Sequence, residues 1–138
     1  MDSSILSKRE ILDMQASCAC LQARGKARSL TQAYDRILAP SGLKITQFSL
    51  VSILLAGPST IGELAEAVNI DRTTLTRGLA PLEREGFITI NDGTDARMRV
   101  IALTDYGKAT TLKAVSLWKL AQAQYADCGT ENNKENGE

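Results

Sequence analysis

The chain has 138 residues and 43% apolar content, enough for one domain whose core needs no disulfide staples. Sixteen Lys and Arg balance sixteen Asp and Glu, and there is no histidine. That absence removes the usual general base, the Ser-His and Cys-His nucleophile pairs and the commonest zinc ligand, and no glycine-rich phosphate loop or carboxylate cluster replaces them. The sequence therefore points away from an enzyme, a metal site or a resident cofactor.

The zero net charge is unevenly placed. From Asp127 onward there are four acids against Lys134, so Met1 to Ala126 holds 15 basic residues against 12 acidic ones. An excess of +3 is modest but has the sign that a polyanionic partner needs. No stretch approaches the roughly 20 apolar residues of a membrane helix. The opening MDSSILSKRE lacks the apolar run of a signal peptide, so a cytoplasmic location is expected. The three cysteines, Cys18, Cys20 and Cys128, are then expected to be reduced.

In chain order, Ile11, Met14, Cys18, Leu21, Leu30, Tyr34, Ile37 and Leu38 keep a helical spacing up to the turn Ala39-Pro40-Ser41-Gly42, with a bend expected at Gly25. A helix over 10–39 is longer than a small core needs, and its surplus length reads as a partner surface, most simply for a second copy. Thr46 to Ala56 reads as a mostly buried helix stopped by Gly57-Pro58.

Thr60 to Glu85 is then predicted to form a helix-turn-helix. Thr60 and Glu63 form a capping box for its first helix, in which Leu64, Ala65 and Val68 share one side. After the short connection Asn69-Ile70-Asp71, Asp71 caps the second helix and suits the positive end of its dipole. Leu75, Leu79 and Leu82 recur at i, i+4 and i+7 as one apolar stripe. Stepping about 100° per residue, the opposite face carries Thr73, Arg77, Ala80 and Arg84, flanked by Thr74 and Thr76. A major groove admits such a helix and is read by hydroxyl and guanidinium donors near its start. Thr73, Thr74, Thr76 and Arg77 are thus base-edge candidates and Arg84 a phosphate contact. Arg and Thr on the outside of an ordinary surface helix are the plain alternative. Pro81 sits inside this helix, removes a donor and predicts a kink or tightened winding between Arg77 and Pro81.

Ile88, Ile90, Val100 and Ile101 flank the loop 92–98 in a β-hairpin pattern. Beside a recognition helix, such a hairpin is a wing whose basic tip can follow the DNA backbone or enter the minor groove. Asp95 is placed to hold Arg97 extended, leaving Arg97 or Arg99 to face phosphates. An ordinary surface hairpin with solvated charges is the alternative. Thr104 caps a last helix, in which Ala109, Leu112, Val115, Trp118 (or Leu117), Ala121 and Tyr125 form the expected apolar stripe. The segment 127–138 is polar, Gly- and Asn-rich, and is expected to be a disordered tail.

With these residues in view, the chain resembles the MarR family of bacterial winged helix-turn-helix transcriptional regulators. D-G-T-D-A-R-M-R-V-I-A-L-T-D-Y-G, from Asp92 to Gly107, is similar to that family's D-x-x-D-x-R wing signature followed by L-T-x-x-G. D-R-T-T-L-T-R-G-L-A-P-L-E-R-E-G, from Asp71 to Gly86, resembles its recognition helix and following turn, and the likeness spans roughly Ile11 to Tyr125. It implies a mostly α fold with a small β-hairpin wing, organised as one regulator domain over 1–138. Dimerisation helices would occupy 10–39 and 104–126, and the winged helix 44–103. It further implies a homodimer that binds double-stranded DNA at a palindromic operator, a repressor released by a small-molecule or oxidative signal, with DNA contacts at Thr73, Thr74, Thr76, Arg77 and Arg97. The ending departs from the family, whose members continue with apolar helix where this chain becomes polar.

One branch of the family senses peroxides through a thiol on the first helix, which makes Cys18 and Cys20 candidate redox sensors. Two residues apart on a helix they point to different sides, a poor geometry for a mutual disulfide, and Cys18 on the apolar stripe also reads as a small buried hydrophobe. From another functional class, the winged helix would serve as a protein-interaction module without DNA binding; Arg77 and Arg84 on its outer face speak against the apolar patch such a role needs.

Overall fold

The computed structural model describes residues 5–92 and 98–136, with side chains described as far as Asp127. The chain divides into two compact units, Met1–Ala33 and Tyr34–Glu138.

In the first unit, α1 (Lys8–Ser17) begins with a capping box: the Ser7 hydroxyl accepts from the Glu10 N–H at 3.1 Å, and the Glu10 carboxylate accepts from the Ser7 N–H at 2.8 Å. The helix ends at Cys18, whose ψ of 113° is extended, and α2 (Ala19–Leu38) follows at once. The predicted bend at Gly25 is therefore a break at Cys18 instead. Gly25 lies inside α2 in open space, where its lost backbone entropy weakens the helix without interrupting it. Ile11, Leu12, Met14 and Leu21 are all exposed.

The second unit holds the core. Ser41 donates to the Leu38 carbonyl at 2.6 Å and accepts from the Leu43 N–H at 3.2 Å, which closes the turn after α2. Asp35 accepts from the Ile45 N–H at 2.8 Å and fixes the start of α3 (Ile45–Ile53), which runs on through a 3-10 turn, Leu54–Ala56, to Gly57. Then come β1 (Ser59–Thr60), α4 (Ile61–Val68), α5 (Arg72–Arg84), β2 (Ile88–Asn91), β3 (Val100–Leu103) and α6 (Asp105–Asn136). Leu38, Val51, Leu64, Leu75, Leu79, Leu82, Ile88, Ile101 and Ala114 form one buried cluster, and Phe48 stacks on Trp118 with ring centroids 6.3 Å apart. Among the described residues no single helix is long and apolar enough to cross a membrane.

The expected hairpin is part of a three-stranded antiparallel sheet of order β1-β3-β2. The extra strand is two residues long, pairing Ser59 with Ile101 and Thr60 with Val100, too short to leave a periodic signal in the sequence. β2 pairs with β3 from Ile88↔Leu103 to Asn91↔Val100, so the wing strands are in register along their length.

α6 keeps most of its predicted stripe and departs from it in the first turns. Its buried positions are Gly107, Thr111, Ala114 and Ala121, with Val115, Trp118 and Tyr125 half-buried, whereas Ala109 and Leu112 face outward. The core side of this helix is built from small residues because the backbone comes close: a methyl group on Gly107 would overlap the Phe87 carbonyl oxygen. The predicted stripe therefore holds from Val115 through Trp118 and Ala121 to Tyr125 and fails at Ala109 and Leu112, where Gly107 and Thr111 take the inner positions. The backbone also stays helical to Asn136, beyond the expected start of the tail at residue 127. An existing helix extends at one hydrogen bond per residue without a new nucleus, and no proline stops it.

Gly107→Ala should lower the melting temperature sharply or abolish soluble folded protein, because the obstacle is backbone and cannot swing away. Gly25→Ala should raise stability by about 0.5–1 kcal/mol, as expected for Ala replacing Gly inside a helix. Thermal unfolding of the two variants beside the parent chain checks both.

Candidate nucleic-acid interface

The two helices of the helix-turn-helix are set by their ends. Thr60 accepts from the Glu63 N–H at 3.2 Å and caps α4. The predicted return bond from Glu63 to the Thr60 backbone is replaced by a bond to the Thr60 hydroxyl, which donates to the Glu63 carboxylate at 3.0 Å, while Thr60 is held as a strand residue in β1. α4 stops at Asn69, whose φ of 56° is left-handed, with the Ile70 N–H reaching back to the Ala65 carbonyl at 3.1 Å. Asn tolerates this conformation better than most residues, which makes it a suitable helix stop.

Asp71 then caps α5, accepting from the Thr74 N–H at 2.6 Å. That hydrogen bond favours the ionised carboxylate and holds its pKa below the ordinary aspartate value. At the far end the chain leaves through Gly86 at φ 84°, where the Phe87 N–H bonds the Leu82 carbonyl at 2.9 Å and the Gly86 N–H the Glu83 carbonyl at 3.1 Å. This is a glycine-terminated Schellman motif.

Between these stops α5 has two sharply different faces. Leu75, Leu79 and Leu82 are no more than 1% exposed, whereas Thr73, Thr74, Thr76, Arg77, Ala80 and Arg84 are all exposed. The helix runs unbroken through Pro81, and the tightened winding expected as one alternative between Arg77 and Pro81 is not seen, all of these residues being α-helical. An internal proline costs about 3 kcal/mol, while each buried leucine contributes about 1.5–3 kcal/mol, so the three-leucine stripe outweighs it.

Thr73, Thr76 and Arg77 line one open depression of about 410 Å³, together with Arg72. Arg72 escaped the sequence reading because it is the first helical residue, off the axis opposite the leucine stripe. Its signal was the arginine beside the cap in Asp71-Arg72-Thr73. Thr74 lies on the other flank, in an apolar hollow with Leu50, Val68, Ile70 and Gly78. Arg84 stands apart in the last turn, where its charge also suits the negative end of the helix dipole. Arg97 and the expected Asp95–Arg97 pair lie outside the described residues. Arg99 is held by Asp92, 3.3 Å from its carboxylate, with both side chains well exposed. An exposed pair of this kind contributes little to stability, so it leaves the guanidinium easily available to another anion.

Cys18 is half-buried and Cys20 exposed, both free thiols. The break at Cys18 removes the premise that the two sit on one continuous helix. A further hollow of about 410 Å³ lies among Ile45, Phe48, Ile53, Val68 and Trp118, with the Ser49 and Ser52 side chains at its wall.

A protein-family model described as the MarR family matches residues 41–98. The chain is 31% identical over 84 residues to the HTH-type transcriptional regulator YwoH of Bacillus subtilis, a match covering 60% of this chain and 61%, less than two thirds, of that relative. Among solved structures, it is similar to the M. tuberculosis transcriptional regulator MosR in complex with DNA, at 42% identity and a TM-score of 0.76, covering 87% of this chain and 92% of that one. A second crystal structure of M. tuberculosis MosR gives 38% identity and a TM-score of 0.71, with 88% of this chain and 93% of that one covered.

The depressed pKa of Asp71 gives its cap a pH signature. Its contribution is fully present above the unfolded-state pKa and is lost as pH falls through the lower folded-state value, that is, below about pH 4. Asp71→Asn, which can still accept at the cap, should flatten this part of the acid unfolding curve followed by circular dichroism. An unchanged acid limb would remove Asp71 from the account.

Proposed function

The chain belongs to the MarR family of transcriptional regulators, and from that membership we propose that it is a homodimeric repressor that binds a palindromic operator and is released by a small-molecule or oxidative signal. The observation that carries the reading is the division of α5: its leucine stripe is sealed in the core, while a row of hydroxyls and guanidiniums faces out from its first turns. A helix so mounted presents Thr73, Thr74, Thr76 and Arg77 to base edges, with Arg84, Arg97 and Arg99 on flanking phosphates.

The dimer is supported by exposed apolar side chains on the helices assigned to it, 10–39 and 104–126. Ile11, Leu12, Met14 and Leu21 are more than 40% exposed in the first, and Leu112 and Leu120 more than 50% in the last. A second copy would bury them, and its two-fold axis would set the recognition helices about 34 Å apart, one turn of DNA. Release requires that this separation change. The hollow walled by Phe48 and Trp118 supplies a site for an apolar or aromatic effector, and exposed Cys20 supplies a thiol for an oxidative one.

Light scattering, alone and with fragments of promoter DNA under a salt titration, should show a dimer that binds selected palindromes and lets go as salt rises. A monomer with no selective binding would reject the proposal. Arg77→Ala should cost about 1–3 kcal/mol per half-site and relax sequence preference. Peroxide should weaken operator binding by the parent chain and leave Cys20→Ser unaffected; an equal response in both excludes Cys20 as the sensor.

A further inference from the structure

Arg72 sits at the seam between the two helices of the helix-turn-helix, and three observations bear on its role. First, a β-carbon built on Gly62 would lie 3.1 Å from Nη2 of Arg72 and 3.9 Å from Cζ. The guanidinium therefore lies across the first turn of α4, over the one position there that has no side chain. Second, Arg72 lines the depression of about 410 Å³ together with Thr73, Thr76 and Arg77, so two arginines and two threonines border it and no acidic residue does. Third, Arg72 is exposed and has no ion pair among the described residues. Glu63, which follows Gly62 in α4, is bonded to the Thr60 hydroxyl at 3.0 Å.

From this we infer that Arg72 is a DNA-contacting residue that binds a backbone phosphate, seated for that purpose on Gly62; the inference rests on the DNA-binding reading above. The choice of phosphate over base follows from position. In a helix-turn-helix the second helix enters the groove and the first crosses the backbone. A guanidinium drawn from the start of α5 back over α4 is carried out of the groove axis toward that backbone. Arg77, one turn further along α5 and on the face opposite the leucines, remains for the bases. Arginine suits the task because its planar fork meets two phosphate oxygens at once. Gly62 supplies the seat: even a β-carbon there would stand only 3.1 Å from Nη2 and make the guanidinium shift, and a longer side chain would displace it.

Two variants of the full chain test this, Arg72→Gln and Gly62→Ala, measured by fluorescence anisotropy against a selected operator duplex and a scrambled duplex over a range of salt. For Arg72→Gln, the slope of log affinity against log salt should fall by about 1 per protomer, by the same amount on both duplexes, because a phosphate contact carries no sequence information. Gly62→Ala should reduce affinity in the same sequence-independent way while melting no lower than the parent chain, since Ala is the better helix former. An unchanged slope in Arg72→Gln overturns the assignment. A changed preference at one base pair makes Arg72 a base reader and also overturns it. Normal binding by Gly62→Ala overturns the role of Gly62 as the seat. A parent chain with no salt-dependent DNA binding instead sinks the DNA-binding reading itself, which separates the two failures.

Discussion

The carbonyl of Phe87 is the point on which three elements close. The Thr104 N–H donates to it at 3.1 Å and the Thr104 hydroxyl at 3.3 Å, while that hydroxyl also reaches the Gly86 carbonyl at 2.6 Å and accepts from the Gly107 N–H at 2.9 Å. One threonine thus joins the end of the recognition helix, the base of both wing strands and the start of α6. Gly107 lets the backbones meet, and the Phe87 and Tyr106 rings stack at 5.3 Å beside the junction. The L-T-x-x-G pattern is a description of this junction in residue types: Leu103 ends β3, Thr104 ties and caps, and Gly107 leaves room. Without it the wing and α5 would be two separate surface features with no fixed relation.

Much of this was legible in the sequence where a residue type has one physical use. Asp71 as a cap, the short connection Asn69-Ile70-Asp71 and the leucine stripe of α5 follow from local chemistry that tertiary packing had no reason to override. The failures fall where the signal depended on size or on distant partners. At the start of α6 the Phe87 carbonyl crowds Gly107, so Gly107 and Thr111 turn to the core where Ala109 and Leu112 were expected, while the rest of the stripe, from Val115 to Tyr125, is as read. β1 is a strand only because β3 runs beside it, and two residues carry no periodicity. Cys18 ends α1 with no proline or glycine to announce it, and nothing in its neighbourhood supplies a physical account of why the break falls there. Of the candidate site, Thr73, Thr74, Thr76, Arg77 and Arg84 were picked out by angular position alone, and all of them are exposed. Arg72 was not, because what brings it to the depression is where its long side chain goes.

The recognition helix combines a weak backbone feature with a strong packing one. Pro81 deprives the Arg77 carbonyl of its usual partner, yet the helix persists because the same segment is fastened by Leu79 and Leu82. The first turn, which carries Arg72, Thr73 and Thr74, lies upstream of that defect and is secured by the Asp71 cap. Stability and the polar surface are therefore assigned to different parts of one helix, and a change in one need not disturb the other.

The short strand β1 has a further consequence for the order in which the molecule assembles. Ser59 and Thr60 pair with Ile101 and Val100 across the whole helix-turn-helix and wing, so this contact closes a long loop, and such closures are reached late because their entropy is lost before any contact compensates it. Thr60 is also the cap of α4. The first helix of the motif thus receives its final restraint only when the last strand of the wing has been made and folded back, and a nascent chain that has not yet emerged past β3 has a recognition helix in sequence but not yet a fixed one in space.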